Sequence, residues 1–122
     1  MSTQPLKRTQ MVLHVTIKID PSKTQSYLEA LRPAYECVVH EPECVFFDMF
    51  HSDDEPGLFR FVEGWTKDKE WFMKHQLTKP YYHPYEEATK PMWTEPPKFL
   101  FTNRIDGWST VSKEYLESSQ QI

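Results

Sequence analysis

The nine residues MVLHVTIKI (11–19) constrain the fold of this chain more than any other stretch. Met11, Leu13, Val15, Ile17 and Ile19 alternate with Val12, His14, Thr16 and Lys18. A period of two is the spacing of a strand whose successive side chains point to opposite faces, so the odd residues predict a core-facing row. The run stops at Asp20-Pro21, a pair suited to opening a helix. Asp accepts from the free N–H groups of a first turn, and the N–H that Pro lacks has no partner there anyway. Beyond it, Tyr27, Leu28, Leu31, Ala34, Tyr35 and Val38 recur at helical spacing. Pro33 lies within this stripe and predicts a kink, and Glu41-Pro42 predicts the end.

The rest of the chain extends the pattern. CVFFDMFHS (44–52) predicts a second strand, with Phe46 and Phe50 on one face and Phe47, Met49 and His51 on the other. After a DDEPG turn, LFRFVEGW (58–65) predicts a third, with Phe59, Phe61, Glu63 and Trp65 in one row. A short turn joins the two strands, so they should pair antiparallel. TKDKEWFMKHQL (66–77) predicts a short helix with Trp71, Phe72 and His75 on one side. TKPYYHPYEEATKPMW (78–93), interrupted by Pro80 and Pro84, predicts another. PPKFLFTNRI (96–105) closes the set as a strand carrying Phe99, Phe101, Asn103 and Ile105 on one face.

The order β-α-β-β-α-β predicts an α+β, ferredoxin-like fold: a four-stranded antiparallel sheet with helices on one face. The opposite face retains Phe, Val and Leu, a surface best buried against a second copy of the chain. Residues 1–10 read as a flexible start, 11–105 as one domain and 106–122 as a tail that Trp108 and Tyr115 could pin.

Composition narrows the function classes. A net charge of −4 and a pI near 5.7 argue against a nucleic-acid partner. No run approaches the roughly 18 apolar residues of a membrane helix, and MSTQPLKRTQ has no apolar leader core, so the expected location is cytoplasmic. Cys37 and Cys44 are expected as reduced thiols. No CxxC pair or zinc-like His spacing is present, DDEPG lacks the calcium-loop spacing, and no phosphate-binding Gly loop or GxSxG elbow occurs. No metal site is therefore expected. Aromatic residues make up 15% of the chain, and Phe59 to Glu87 holds many of them, together with His75 and His83. Rings at that density build either a core or the walls of a pocket for a flat molecule.

Several segments resemble a known family in order along the chain. EPECVFFDMFHS resembles the start of the second strand in antibiotic biosynthesis monooxygenase (ABM) domains, with Glu43 where Gly is usual. FVEGWTKDKEWFMKH resembles the E-x-W of that family, then its short helix and His; KPYYHPYEE resembles the family's next segment. The resemblance covers roughly residues 12–105. It implies a dimeric α+β barrel and, among the family's enzymes, monooxygenases of secondary metabolism that oxidise anthrones, naphthacenones and quinols with dioxygen and no cofactor.

Cofactor-free oxygenation suits electron-rich phenols, whose anions can pass an electron to dioxygen. The protein then supplies a base, a dry pocket and donors for the anion. The resemblance implies Trp65 as the ring-holding residue and His75 as the base. Asn103 on the last strand is the candidate oxyanion donor. His14, His51, Phe61, Trp71, Tyr81 and His83 are candidate substrate contacts. The first strand carries Val12, Leu13, His14 and Val15 where haem-degrading relatives carry Asn, which points away from haem. An oxygen-independent isomerase or cyclase on the same scaffold, and a non-catalytic dimer that binds a small ligand, stay open as alternatives.

Overall fold

The structure, a computed structural model, describes residues 8–114. Four strands, β1 (Met11–Lys18), β2 (Cys44–His51), β3 (Leu58–Trp65) and β4 (Lys98–Thr102), form one antiparallel sheet in the order β2-β3-β1-β4. With the helices placed between them, this is the ferredoxin-like α+β arrangement. The odd residues of β1 are buried, as their alternation predicts, and Ile19 continues the row. They meet the inward rows of β3 and β2 and a buried stripe of α1 (Thr24–Val39): Tyr27, Leu31, Ala34 and Val38.

Asp20 caps the first helical segment. Its Oδ1 accepts from the Ser22 N–H at 3.0 Å and the Ser22 hydroxyl at 2.9 Å, opening the 3-10 turn Pro21–Lys23 that leads into α1. Helix α1 runs unbroken through Pro33. Gly57 closes the β2–β3 connection at φ +87°, a left-handed conformation open to glycine, and its carbonyl accepts from the Ile19 N–H at 2.8 Å.

The second helical region departs from expectation. It starts at Asp68, whose side chain accepts from the Trp71 N–H at 2.9 Å, so Thr66 and Lys67 stay outside it. Helix α2 (Lys69–Trp71) passes at once into a π-helical turn, Phe72–Gln76, where the Leu77 N–H reaches the Phe72 carbonyl at 2.8 Å. The wide turn buries Phe72 and Gln76, while His75 is exposed, its ring tilted by 38° against Trp71 with centroids 6.0 Å apart. Helix α3 (Tyr82–Thr89) comes next, then a 3-10 turn, Lys90–Met92.

Strand β4 ends at Thr102, the residue paired with Val12, and Asn103 and Ile105 lie beyond the ladder and exposed. Trp108 is 84% exposed and so is not pinned to the described body; Tyr115 lies outside the described residues. The sheet face away from the helices shows His14, Phe50 and Leu100 to solvent, with Val62 and Phe46 half-buried between them. Cys37 is exposed, while Cys44 is buried and its thiol donates to the Phe46 carbonyl at 3.6 Å.

Candidate functional site

Between the sheet and the helices lies a cavity of about 310 Å³. Val15 and Ile17 of β1, Phe47 of β2 and Phe61 of β3 form its floor. Leu31, Ala34, Tyr35 and Val38 of α1 form one wall, and Phe72, Leu77, Tyr82 and Tyr85 another. Trp93, Pro97, Phe99 and Glu86 complete the lining. Rings supply much of the lining because the inward rows of β2, β3 and β4 contribute Phe47, Phe61 and Phe99. Tyr35 meets Phe47 at 5.2 Å and 84°, and Phe47 meets Phe61 at 5.4 Å.

The polar groups around it are few and mostly tied. The hydroxyls of Tyr27 and Tyr85 share one hydrogen bond at 2.7 Å. The Gln76 Nε2–H group donates to Tyr81 Oη at 2.7 Å and to Tyr82 Oη at 2.9 Å, and the Tyr81 hydroxyl donates to Glu41 Oε2 at 2.7 Å. Lys79 pairs with the same Glu41 oxygen at 3.2 Å. Because Tyr81 gives its proton to the carboxylate, its oxygen is left as an acceptor, which orients the Gln76 amide. The chain Lys79–Glu41–Tyr81–Gln76–Tyr82 thus runs from the surface to the cavity wall. Burial raises the Tyr82 and Tyr81 pKa values, and burial likewise raises those of Tyr27 and Tyr85. All four are therefore neutral hydroxyls at physiological pH.

Glu63 is the one acid in the inward row of β3, between Phe61 and Trp65, and only 6% of it is exposed. Its cross-strand partners are Leu13 and Phe47, both apolar. Trp65 Nε1–H donates to Glu63 Oε1 at 3.0 Å. Burial pushes the carboxyl pKa up to about 7, against the weaker opposing pull of the indole bond. The Glu63 charge also opposes ionisation of Tyr82 and Tyr85, two residues of the cavity wall. Glu63 is itself outside the cavity lining, although its row neighbour Phe61 and its cross-strand partner Phe47 belong to it.

The structure does not gather the residues expected from sequence into one site. Phe61 lines the cavity. Trp65 is fully buried, packed on Phe72 at 5.3 Å and Trp71 at 6.2 Å, and it serves Glu63 rather than the cavity surface. Trp71 is half-buried between Trp65 and His75. Tyr81 belongs to the hydrogen-bonded chain behind Tyr82. His75, His83 and Asn103 are exposed outside the cavity lining, and His14 is exposed on the opposite sheet face. His51 lies in a separate groove of about 390 Å³ with Met49, Phe59 and Leu28, between the end of β2 and the start of α1. Sequence reasoning missed Glu63 and Trp93. An acid in an otherwise apolar inward row was a signal for the first; nothing local marked the second. Among the described residues no cluster of three or more His, Cys, Asp or Glu could hold a metal ion, and no helix is long and apolar enough to cross a membrane.

Comparison with known proteins adds three findings. The family model described as antibiotic biosynthesis monooxygenase matches residues 11–83. A protein of Pestalotiopsis microspora named as a candidate monooxygenase is 33% identical over 108 residues, spanning 86% of this chain and 90% of its own length. Among solved structures, a candidate antibiotic biosynthesis monooxygenase from Nitrosomonas europaea superposes with a TM-score of 0.68 at 23% identity, covering 78% of this chain and 98% of that one. Another, from Caulobacter crescentus, gives 0.69 at 19% identity, covering 83% and 94%. At these identities the two structures establish the shared fold.

Proposed function

The chain belongs to the antibiotic biosynthesis monooxygenase family, and from that premise we propose that it is a cofactor-independent monooxygenase. Its substrate would be a flat, electron-rich phenolic, quinol or polyketide-like molecule held between sheet and helices. One observation carries this reading: the inward strand row that lends Phe61 to a ring-walled apolar cavity also holds a buried carboxyl, Glu63, with a pKa of about 7.

The chemistry rests on that pairing. Ionised Glu63 takes a proton from the substrate, giving a delocalised anion. The anion passes one electron to dioxygen, and the resulting radical pair combines to form a C–O bond. Loss of water then leaves a carbonyl where a CH2 group stood. Substrate carbon gives up four electrons; one oxygen atom stays in the product, and the other leaves as water with two hydrogens. The apolar walls exclude bulk water, so the charged groups inside interact more strongly. Glu63 is preferred to His75 as the base because it is buried in the row that supplies Phe61 to the cavity, whereas His75 is exposed to solvent. Two copies would cover each other's open sheet faces, which supports a homodimer of the barrel type.

The test is oxygen uptake by metal-stripped protein with a panel of anthrones and hydroquinones, alongside Glu63→Gln. The reading predicts uptake above the uncatalysed rate, reduced by about 10²-fold or more in the variant, the range for loss of a proton-transfer group. Ligand binding without uptake would favour an oxygen-independent isomerase, a cyclase or a simple binding protein.

A further inference from the structure

Among the described residues the cavity lining holds one carboxylate and no cation, and the carboxylate belongs to Glu86 of α3. Glu86 and Phe99 are the exposed members of that lining, so they mark where the cavity opens, between α3 and the edge strand β4. Phe99 lies opposite Val15 and is 51% exposed, which makes the approach apolar on the strand side. Glu86 gives the other side of the opening its only charge.

No cation answers that charge. The Glu86 side chain takes part in none of the ion pairs among the described residues. Lys90, one turn on, gives its backbone N–H to the Glu86 carbonyl and forms no ion pair with the carboxylate. The last turn of α3 has no basic residue, although a helix C-terminus favours cations. Arg32 stands 5.3 Å from the ring centre of Tyr35, a lining residue, but it pairs with Glu36 at 3.6 Å. The negative field also reaches the wall: the charges of Glu86 and Glu63 both oppose ionisation of Tyr85, which lines the cavity. A cleft with charge of one sign and low-dielectric walls focuses that field on whatever enters. An entering anion gives up hydration, meets no lining cation and approaches a like charge. An ammonium group left at the opening keeps water on one side and gains an opposite charge.

We infer that Glu86 sets the charge selectivity of the cavity: it admits neutral compounds and those carrying an ammonium group at the solvent end, and it turns away carboxylates of the same shape. Glu86 acts on which ligand enters, not on proton transfer. This rests on the proposed use of the cavity as the ligand site, but not on the oxygenase reaction.

The test uses three probes that share one ring system, 2-naphthamide, 2-naphthoate and 2-naphthylmethylammonium, titrated calorimetrically into the full chain at about pH 8. Glu86→Gln keeps the side chain's length and removes its charge. It should leave naphthamide affinity within about twofold, tighten naphthoate about fivefold and weaken the ammonium probe about fivefold, the ratio that ~1 kcal/mol gives for a charge pair in contact with water. Added salt should shrink the ammonium-over-carboxylate preference of the unmodified chain, since exposed charges are screened. Glu87→Gln, next on α3 but outside the lining, should move no probe by more than about twofold. Charged-probe affinities unchanged in Glu86→Gln, equal changes for all three probes, or an effect of the same size from Glu87→Gln would overturn the inference and leave the cavity a ligand site. No binding of naphthamide to the unmodified chain would remove the cavity as well. A failed oxygen-uptake test with the selectivity present would remove the oxygenase and keep the role of Glu86.

Discussion

Replacing Glu63 by Gln should make the protein more stable at alkaline pH and leave it nearly unchanged at acid pH. Gln keeps a carbonyl oxygen for Trp65 Nε1–H but cannot ionise. In the folded chain the Glu63 pKa is raised from an ordinary value of 4.5 to about 7. Below pH 4.5 the folded and unfolded chains both hold the proton, and Glu63 contributes no pH-dependent difference. Between about 4.5 and 7 the folded chain keeps a proton that the unfolded chain has lost, so stability falls as pH rises. Above pH 7 the carboxylate is ionised in both states, and its burial penalty is complete. At about 1.4 kcal/mol per pH unit, that penalty reaches about 3 kcal/mol, an upper figure for a group with 6% exposure. Urea unfolding midpoints for both proteins, at equal protein concentration from pH 5 to pH 8, measure it directly. Any fixed cost of the amide displaces both ends alike and leaves the slope of the difference intact. Curves that stay parallel across this range would show that Glu63 is ionised in the folded protein throughout, and the argument for a neutral-pH base would fail.

Three further outcomes are expected. Gly57→Ala should lower stability by about 1–3 kcal/mol in the same assay, because φ is +87° and the added Cβ would stand 2.4 Å from the Ile19 carbonyl oxygen; an unchanged midpoint would contradict this. His75→Ala should leave turnover within about twofold of the unmodified protein, since an exposed surface group should contribute none of the 10²–10⁴-fold of a proton-transfer residue; a large loss in kcat would return the base role to it. Light scattering at micromolar concentration should give twice the 14.6 kDa chain mass, falling to one chain in Leu100→Lys, which puts a charge on the exposed apolar sheet face; a single-chain mass for the unmodified protein would refute the shared face.

Much of the fold was legible because its strand signals are local. The alternation in 11–19 and the inward row Phe59-Phe61-Glu63-Trp65 both hold in the structure, and the β-α-β-β-α-β order builds on them. The site was less legible, for particular reasons. A regular helix does not disclose the π-helical turn at Phe72–Gln76, and that turn buries Gln76 and leaves His75 in solvent. Asn103 continues the alternation of β4 on paper, but the strand stops at Thr102, where its pairing with β1 ends at Val12. Trp65 carries the expected E-x-W signature, yet its indole is consumed by Glu63 two residues earlier. Trp93 reaches the cavity through a bridge to Ile19, a contact between distant parts of the chain that no local pattern announces.

The most direct test of the proposed reaction is a turnover under ¹⁸O₂ with an anthrone substrate, then mass spectrometry of the quinone. Cavity-bound oxygenation by direct reaction with dioxygen predicts one ¹⁸O in the new carbonyl, at a rate that Glu63→Gln suppresses. Product free of ¹⁸O, or labelled product formed equally fast without functional Glu63, would contradict it.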